Sequence, residues 1–192
     1  MMRKIFNMAL FFLPVLFSGC ARTVIVQEAL QLPEGAKVYT NYNIWYDDPD
    51  DISSLNYQSG KFMPFGTEVE IVEADGRSFT FREKSNGQKF RISYDESWMM
   101  IPIEDYLKRF LTTKDREQLS AGIKPAVLDK VSKGLVDEGM TRKEVLLAYG
   151  YPVVHRTPSL KDDTWIYWIK PLVTTRVVFK GDIVIAILKF DE

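Results

Sequence analysis

The one histidine of the 192-residue chain, His155, lies in the stretch Val153-Val154-His155-Arg156-Thr157. With Ser159 and Asp162 nearby it could form a Ser-His-Asp set, but no Gly-x-Ser-x-Gly elbow accompanies them, so a loop histidine without catalytic duty is the plainer reading. A zinc centre draws on several His or Cys ligands, and the chain offers one of each. Asp47, Asp48, Asp50 and Asp51 are hard oxygen donors of the kind calcium takes. They lack the glycine turn and closing glutamate of an EF-hand loop, and a solvated acidic loop is the simpler account. As a carboxylate pair for sugar cleavage they have no defined separation. No glycine-rich phosphate loop is present. The expectation is a protein that is not an enzyme and that carries no metal and no dissociable cofactor.

The side chains left to recognise something are aromatic. Tyr42, Trp45, Tyr46 and Tyr57 fall close together and could line grooves for a peptide or glycan. Trp168 falls on the opposite side of its strand from Tyr167, which makes it either an exposed interaction hot spot or part of a second core layer beneath the helical connector.

Cys20 is the only cysteine, so no intramolecular disulfide forms. Arg3 and Lys4 precede an apolar stretch from Ile5 to Phe17, and Ser18-Gly19 lead into Cys20. That is the layout of a signal peptide, too short and too interrupted by Pro14 to favour a membrane-spanning helix of about 20 residues. Leu16-Phe17-Ser18-Gly19-Cys20 resembles the lipobox of bacterial lipoproteins, with Phe17 where that family prefers leucine. The resemblance implies cleavage after residue 19, a diacylglyceryl group on the Cys20 thiol and an acyl chain on its amine. It also implies the outer membrane, because Ala21-Arg22 follow the cysteine instead of the aspartate that retains such proteins in the inner membrane. More than one acyl chain makes the attachment durable, at about 0.8 kcal/mol per buried methylene.

The formal charge of the whole chain is −1, and loss of Arg3 and Lys4 makes it more negative. Such a chain lacks the basic excess of a nucleic-acid binder. Its 46% hydrophobic and 13% aromatic content suffices for a core and excludes a disordered chain.

The elements that position these groups divide in two. From about Lys37 to Trp98 the signals are those of strands: Lys37 to Thr40, Asn43 to Tyr46, Thr67 to Val72, Ser78 to Arg82 and Lys89 to Ile92. Asp75-Gly76 and Asn86-Gly87 supply tight turns between them. Residues 37–100 are therefore expected to form a small antiparallel β-barrel, and the lead Pro64-Phe65-Gly66-Thr67 resembles that of SH3-like barrels. Residues 20–36 are expected to be a tether. In residues 101–123, Ile103, Tyr106, Leu107, Phe110 and Leu111 form one helical stripe after Pro102. The polar stretch 112–124 reads as a linker, with a boundary near Ile123.

Residues 124–192 begin with a helix from Pro125 that stops at Gly134, followed by Thr141 and Glu144 at capping-box spacing. That second helix ends at Gly150 and Pro152. Three strands follow, at Thr164 to Ile169, Thr174 to Lys180 and Ile183 to Leu188, with Trp165, Tyr167 and Phe179 facing the core. The Gly139-Met140-Thr141-x-x-Glu144-Val145 helix start, the Gly150-x-Pro152 exit, Trp165-x-Tyr167 and the hairpin at Phe179 to Asp182 resemble the SmpA/OmlA (BamE-like) family. The resemblance implies an α+β module with helices packed on a three-stranded antiparallel sheet. It further implies a binding and scaffolding role among envelope proteins, with outer-membrane assembly as one setting. The alternative role is peptidoglycan binding through the barrel.

Overall fold

The computed structural model describes residues 22–191 and is a mixed α+β structure. Its elements run α1 (Val26–Ala29), β1 (Val38–Thr40), β2 (Ile44–Tyr46), β3 (Ile52–Ser53), β4 (Lys61–Met63), β5 (Glu68–Ala74), β6 (Ser78–Glu83) and β7 (Lys89–Ser93). Then come α2 (Glu96–Met99), α3 (Ile103–Phe110), β8 (Leu111–Thr112), α4 (Arg116–Ser120), α5 (Pro125–Ser132), α6 (Arg142–Tyr149), β9 (Thr164–Lys170), β10 (Val173–Lys180) and β11 (Ile183–Asp191).

The first sheet is six-stranded, curled, and ordered β3-β7-β6-β5-β1-β8. Its centre forms from local signals. Asp75 Oδ1 accepts from the amides of Arg77 at 2.7 Å and Ser78 at 2.8 Å, an Asx turn that folds β5 back on β6. The alternation of Val69 and Ile71 with Glu68 and Glu70 holds until Val72, where a bulge inserts one residue and returns Ala74 to the interior. Phe79 and Phe81 stack at 5.3 Å, Phe81 and Phe90 at 5.4 Å, and Phe110 of α3 meets the first two edge-on at 5.4 Å. The stripe on α3 buries Ile103, Tyr106, Leu107 and Phe110 against this ladder.

Three expectations are corrected here. The first sheet is not the wholly antiparallel arrangement expected, because β3 joins β7 in parallel at Ile52↔Ile92, while β2 leaves the sheet to pair with β4. Residues 22–36 are not a free tether. Val24 N–H donates to the Ala74 carbonyl at 2.9 Å, Thr23 bridges to Asp75, and Val24 and Val26 are buried, because their apolar side chains have a sheet to cover. Residues 112–124 are not a bare linker. β8 pairs with β1, and α4 carries a complete capping box between Asp115 and Gln118 and buries Leu119.

The second sheet is antiparallel, ordered β11-β10-β9, with α5 and α6 on one face. The Thr141 hydroxyl accepts from the Glu144 amide, and the Glu144 carboxylate accepts from the Thr141 amide at 2.6 Å, so both halves of the expected box form. Trp165, Tyr167, Val177, Phe179 and Val184 bury against Val131, Val145 and Ala148.

The two parts exchange core residues. Phe65, from the β4–β5 connection, is fully buried in the C-terminal core beside Leu119, whereas Val153 and Trp168 bury in the N-terminal one. Between them lies a buried polar seam. Asn43 Nδ2 donates to the carbonyls of Val131 at 2.9 Å and Ala148 at 3.2 Å, and its Oδ1 accepts from Phe65 N–H at 2.9 Å. Asn56 Nδ2 donates to the Tyr149 carbonyl at 2.9 Å and its Oδ1 accepts from Trp45 N–H at 2.8 Å. Gly150 sits at φ +80°, where an added Cβ would lie 2.6 Å from the Tyr42 ring.

Candidate functional site

Strand β2 and the β3–β4 connection bring three of the four proposed groove aromatics together. Trp45, Tyr46 and Tyr57 line an open cleft of about 640 Å³, whose wall also carries Asp47, Asp48, Asp51, Asp95 and Glu96. Every charged side chain on that wall is a carboxylate. The seam sets its shape: Asn56 holds the Trp45 amide, the Trp45 indole N–H reaches the Ala148 carbonyl at 3.4 Å, and Gly134 leaves room for the indole edge. Tyr46 is braced edge-on by Phe90 at 5.3 Å. Asp48 Oδ1 accepts from Asp50 N–H at 2.9 Å, which closes the loop on itself, and Asp51 Oδ1 accepts from the Ser93 hydroxyl at 2.7 Å, which ties the loop to β7. Burial raises the Tyr57 phenol above its ordinary range, and the Asp95 charge adds to the effect. Flat π faces beside anionic oxygens suit a ligand that carries sugar rings or amines.

Tyr42 and Trp168 are elsewhere. Tyr42 is 3% exposed, its ring edge-on to Phe110 at 5.8 Å and its phenol hydrogen-bonded to Tyr106, and burial pushes that phenol well up. Trp168 is 6% exposed and meets Trp98 edge-on at 5.7 Å, with the Arg156 guanidinium 5.6 Å from its ring. Its outward-facing side of β9 is therefore buried, and the residues that cover it are Trp98 and Arg156, outside the helical connector. Both tryptophans and His155 form one cluster, the His155 ring lying 4.7 Å from Trp98. Asp162 accepts from the Ser159 amide at 3.2 Å, which is the bond of a turn and not of a relay to His155. Among the described residues no three His, Cys, Asp or Glu side chains converge as a metal site. Cys20 and the preceding segment lie outside the described residues.

A second surface was not singled out from the sequence. Strand β11 is the outer strand of its sheet, nine residues long, and carries Ile183, Ile185, Leu188 and Phe190 at 41, 49, 46 and 38% exposure. Phe190 is capped by the Arg176 guanidinium at 4.3 Å. The edge is covered at its start, where Val184 N–H donates to the Met140 carbonyl at 2.8 Å and the Val184 carbonyl accepts from Gly139 N–H at 2.9 Å. Beyond Val184 the outer edge of β11 carries exposed apolar side chains, which folds ordinarily shield with charge, proline or a covering loop. The signal in the sequence was the density of Ile183-Val184-Ile185-Ala186-Ile187-Leu188, more apolar than one buried face requires.

Comparison with protein-family models, with curated proteins and with solved structures finds no match. Among the described residues no helix is long and apolar enough to cross a membrane.

Proposed function

We propose that this chain is a lipid-anchored binding protein of the bacterial cell envelope, attached through Cys20 to the outer membrane and facing the periplasm. It performs no catalysis and presents β11 to a strand of a partner envelope protein. The attachment rests on the Ser18-Gly19-Cys20 run after its apolar stretch, and the binding role rests on one observation, the exposed apolar outer strand β11. The helices-on-sheet arrangement of residues 124–191 supports likening this part to SmpA/OmlA modules, and the curled first sheet supports likening residues 37–100 to SH3-like barrels. Strand addition takes its affinity from main-chain hydrogen bonds and its selectivity from alternate side chains. Confinement to a surface raises the effective concentration near membrane-bound partners, so modest contacts suffice.

The test is photocrosslinking from a reactive amino acid placed at Leu188 in cells, beside the same probe in the double variant Ile185→Glu/Phe190→Glu. Discrete adducts with outer-membrane proteins, lost in the double variant while its thermal unfolding is unchanged, are expected. Absence of adducts from 188 with adducts arising elsewhere on the surface would remove β11 as the binding edge.

A second reading is favoured by the aromatic and acidic cleft around Tyr46 and Tyr57, whose chemistry fits the amine-bearing peptides and glycan of peptidoglycan. Co-sedimentation with purified cell wall that weakens in Asp47→Asn/Asp48→Asn and at raised salt supports it; binding indifferent to both sinks it.

A further inference from the structure

The chain is already fixed in place two residues after Cys20. The Arg22 carbonyl accepts from Gly76 N–H at 3.1 Å, and the Arg22 guanidinium meets Glu104 at 2.8 Å. Two residues of extended backbone span at most about 7 Å. An acylated Cys20 therefore leaves the folded body almost no leash.

The surface around Arg22 is suited to that position. Arg77 follows Gly76 in the β5–β6 turn and is exposed. Met100, four residues before Glu104 and so within about 14 Å of it along the chain, is 60% exposed. Ile25, three residues after Arg22, is 55% exposed. Glu104 is engaged by Arg22, Asp105 by Lys108 at 2.8 Å, and Asp75 by the turn amides, whereas Glu28 and Glu96 are exposed. Exposed apolar side chains and the arginine of the Gly76-Arg77 turn are what an anionic headgroup layer accepts.

We infer that this corner, made by Arg22, Ile25, the Gly76-Arg77 turn and Met100, rests directly on the lipid headgroups and fixes the orientation of the whole protein. The inference deepens the proposed function and rests on the acylation of Cys20. The polar seam and the exchanged core residues then transmit that orientation to the cleft and to β11. Sheet geometry puts the β6–β7 turn at Ser85 at the far end of β6, about 23 Å from Gly76.

The experiment uses the full chain, acylated in a bacterial host and reconstituted in vesicles of phosphatidylethanolamine and phosphatidylglycerol. An environment-sensitive fluorophore is placed at Met100→Cys, Ile25→Cys or Ser85→Cys. Acylated Cys20 carries no free thiol, so the label goes to the introduced cysteine alone. Blue-shifted emission at 100 and 25, quenched by spin-labelled lipid, with aqueous emission at 85, is the expected result. A Gly-Ser spacer of about 20 residues inserted before Arg22, spanning about 25 Å, should return both membrane probes to aqueous emission. Aqueous emission at 100 and 25 in protein whose intact mass shows the acyl groups would overturn the orientation and leave the anchor standing. An unmodified mass would overturn the anchor, and the orientation with it.

Discussion

The side-chain amide of Asn43 donates to the carbonyl of Ala148 at 3.2 Å, joining residues 105 positions apart. Asn43 is fully buried and also serves Val131 and Phe65, so its replacement removes three buried bonds and strands the Phe65 amide, while the Val131 and Ala148 carbonyls keep Gly134 N–H and the Trp45 indole. Each unmade buried bond costs about 1–3 kcal/mol. Asn43→Ala should lower the unfolding free energy by about 3 kcal/mol or more, read as a fall in urea midpoint at constant slope. Tryptophan fluorescence and far-ultraviolet circular dichroism should report one coincident transition. Two separated transitions in the wild type would contradict the seam's role in joining the parts.

Phe65 belongs to the N-terminal part by sequence and to the C-terminal core by burial. The Arg116 guanidinium lies 4.4 Å from its ring and donates to its carbonyl at 3.2 Å. Removing such a buried ring costs about 3–5 kcal/mol. Phe65→Ala is expected to speed amide exchange in α5 and α6 at least as much as in β6 and β7. Loss of protection confined to the first sheet would place Phe65 in the wrong core.

The capping box of α6 is a local device with a local cost. Thr141→Ala should remove about 1 kcal/mol, equivalent to about 2–4 °C of Tm in a domain of this size. Thr141→Ser, which keeps the accepting oxygen, should recover most of it. Equal loss in both variants would mean that the methyl group, not the hydrogen bond, sets the effect.

Buried phenols make the fold sensitive to base. Burial pushes Tyr94 up to about 12 and holds Tyr106 and Tyr167 well above the ordinary range. Below about pH 10 these phenols are neutral in folded and unfolded chains alike, and their contribution is fully present. Above it the unfolded chain releases protons that the folded one keeps, so stability falls with rising pH until the folded phenols titrate, near 12 for Tyr94. Unfolding free energy measured across pH 9 to 11.5 should fall above about 10. In Tyr94→Phe, which also gives up the bond to the Ile101 carbonyl, the slope should ease by about one proton, about 1.4 kcal/mol per pH unit. An unchanged slope would assign the alkaline loss to other groups.

The strand hairpins, the helix stripe at Ile103 to Phe110 and the Thr141–Glu144 box were legible because each depends on residues within one turn or one strand pair of one another. Asx turns, capping oxygens and apolar periodicity act over a few residues and carry their own signature. The cleft was partly legible: Trp45, Tyr46 and Tyr57 were named, but Asp95 and Glu96 join them only because β7 returns beside β3. Tyr42 carried the same aromatic signal and went into the core, since nothing local distinguishes a groove ring from a core ring.

By itself, then, the sequence determined the longer strands and helices, their order and the α+β class. Tertiary structure alone decided that Phe65 and Trp168 change sides, that residues 22–36 cover the sheet, and that β11 is left as an apolar outer strand. The reason is one of range: burial and hydrogen bonding at these positions are settled by partners far along the chain, such as Ala74 for Val24, Arg116 for Phe65 and Trp98 for Trp168, and no local pattern encodes a partner at that distance.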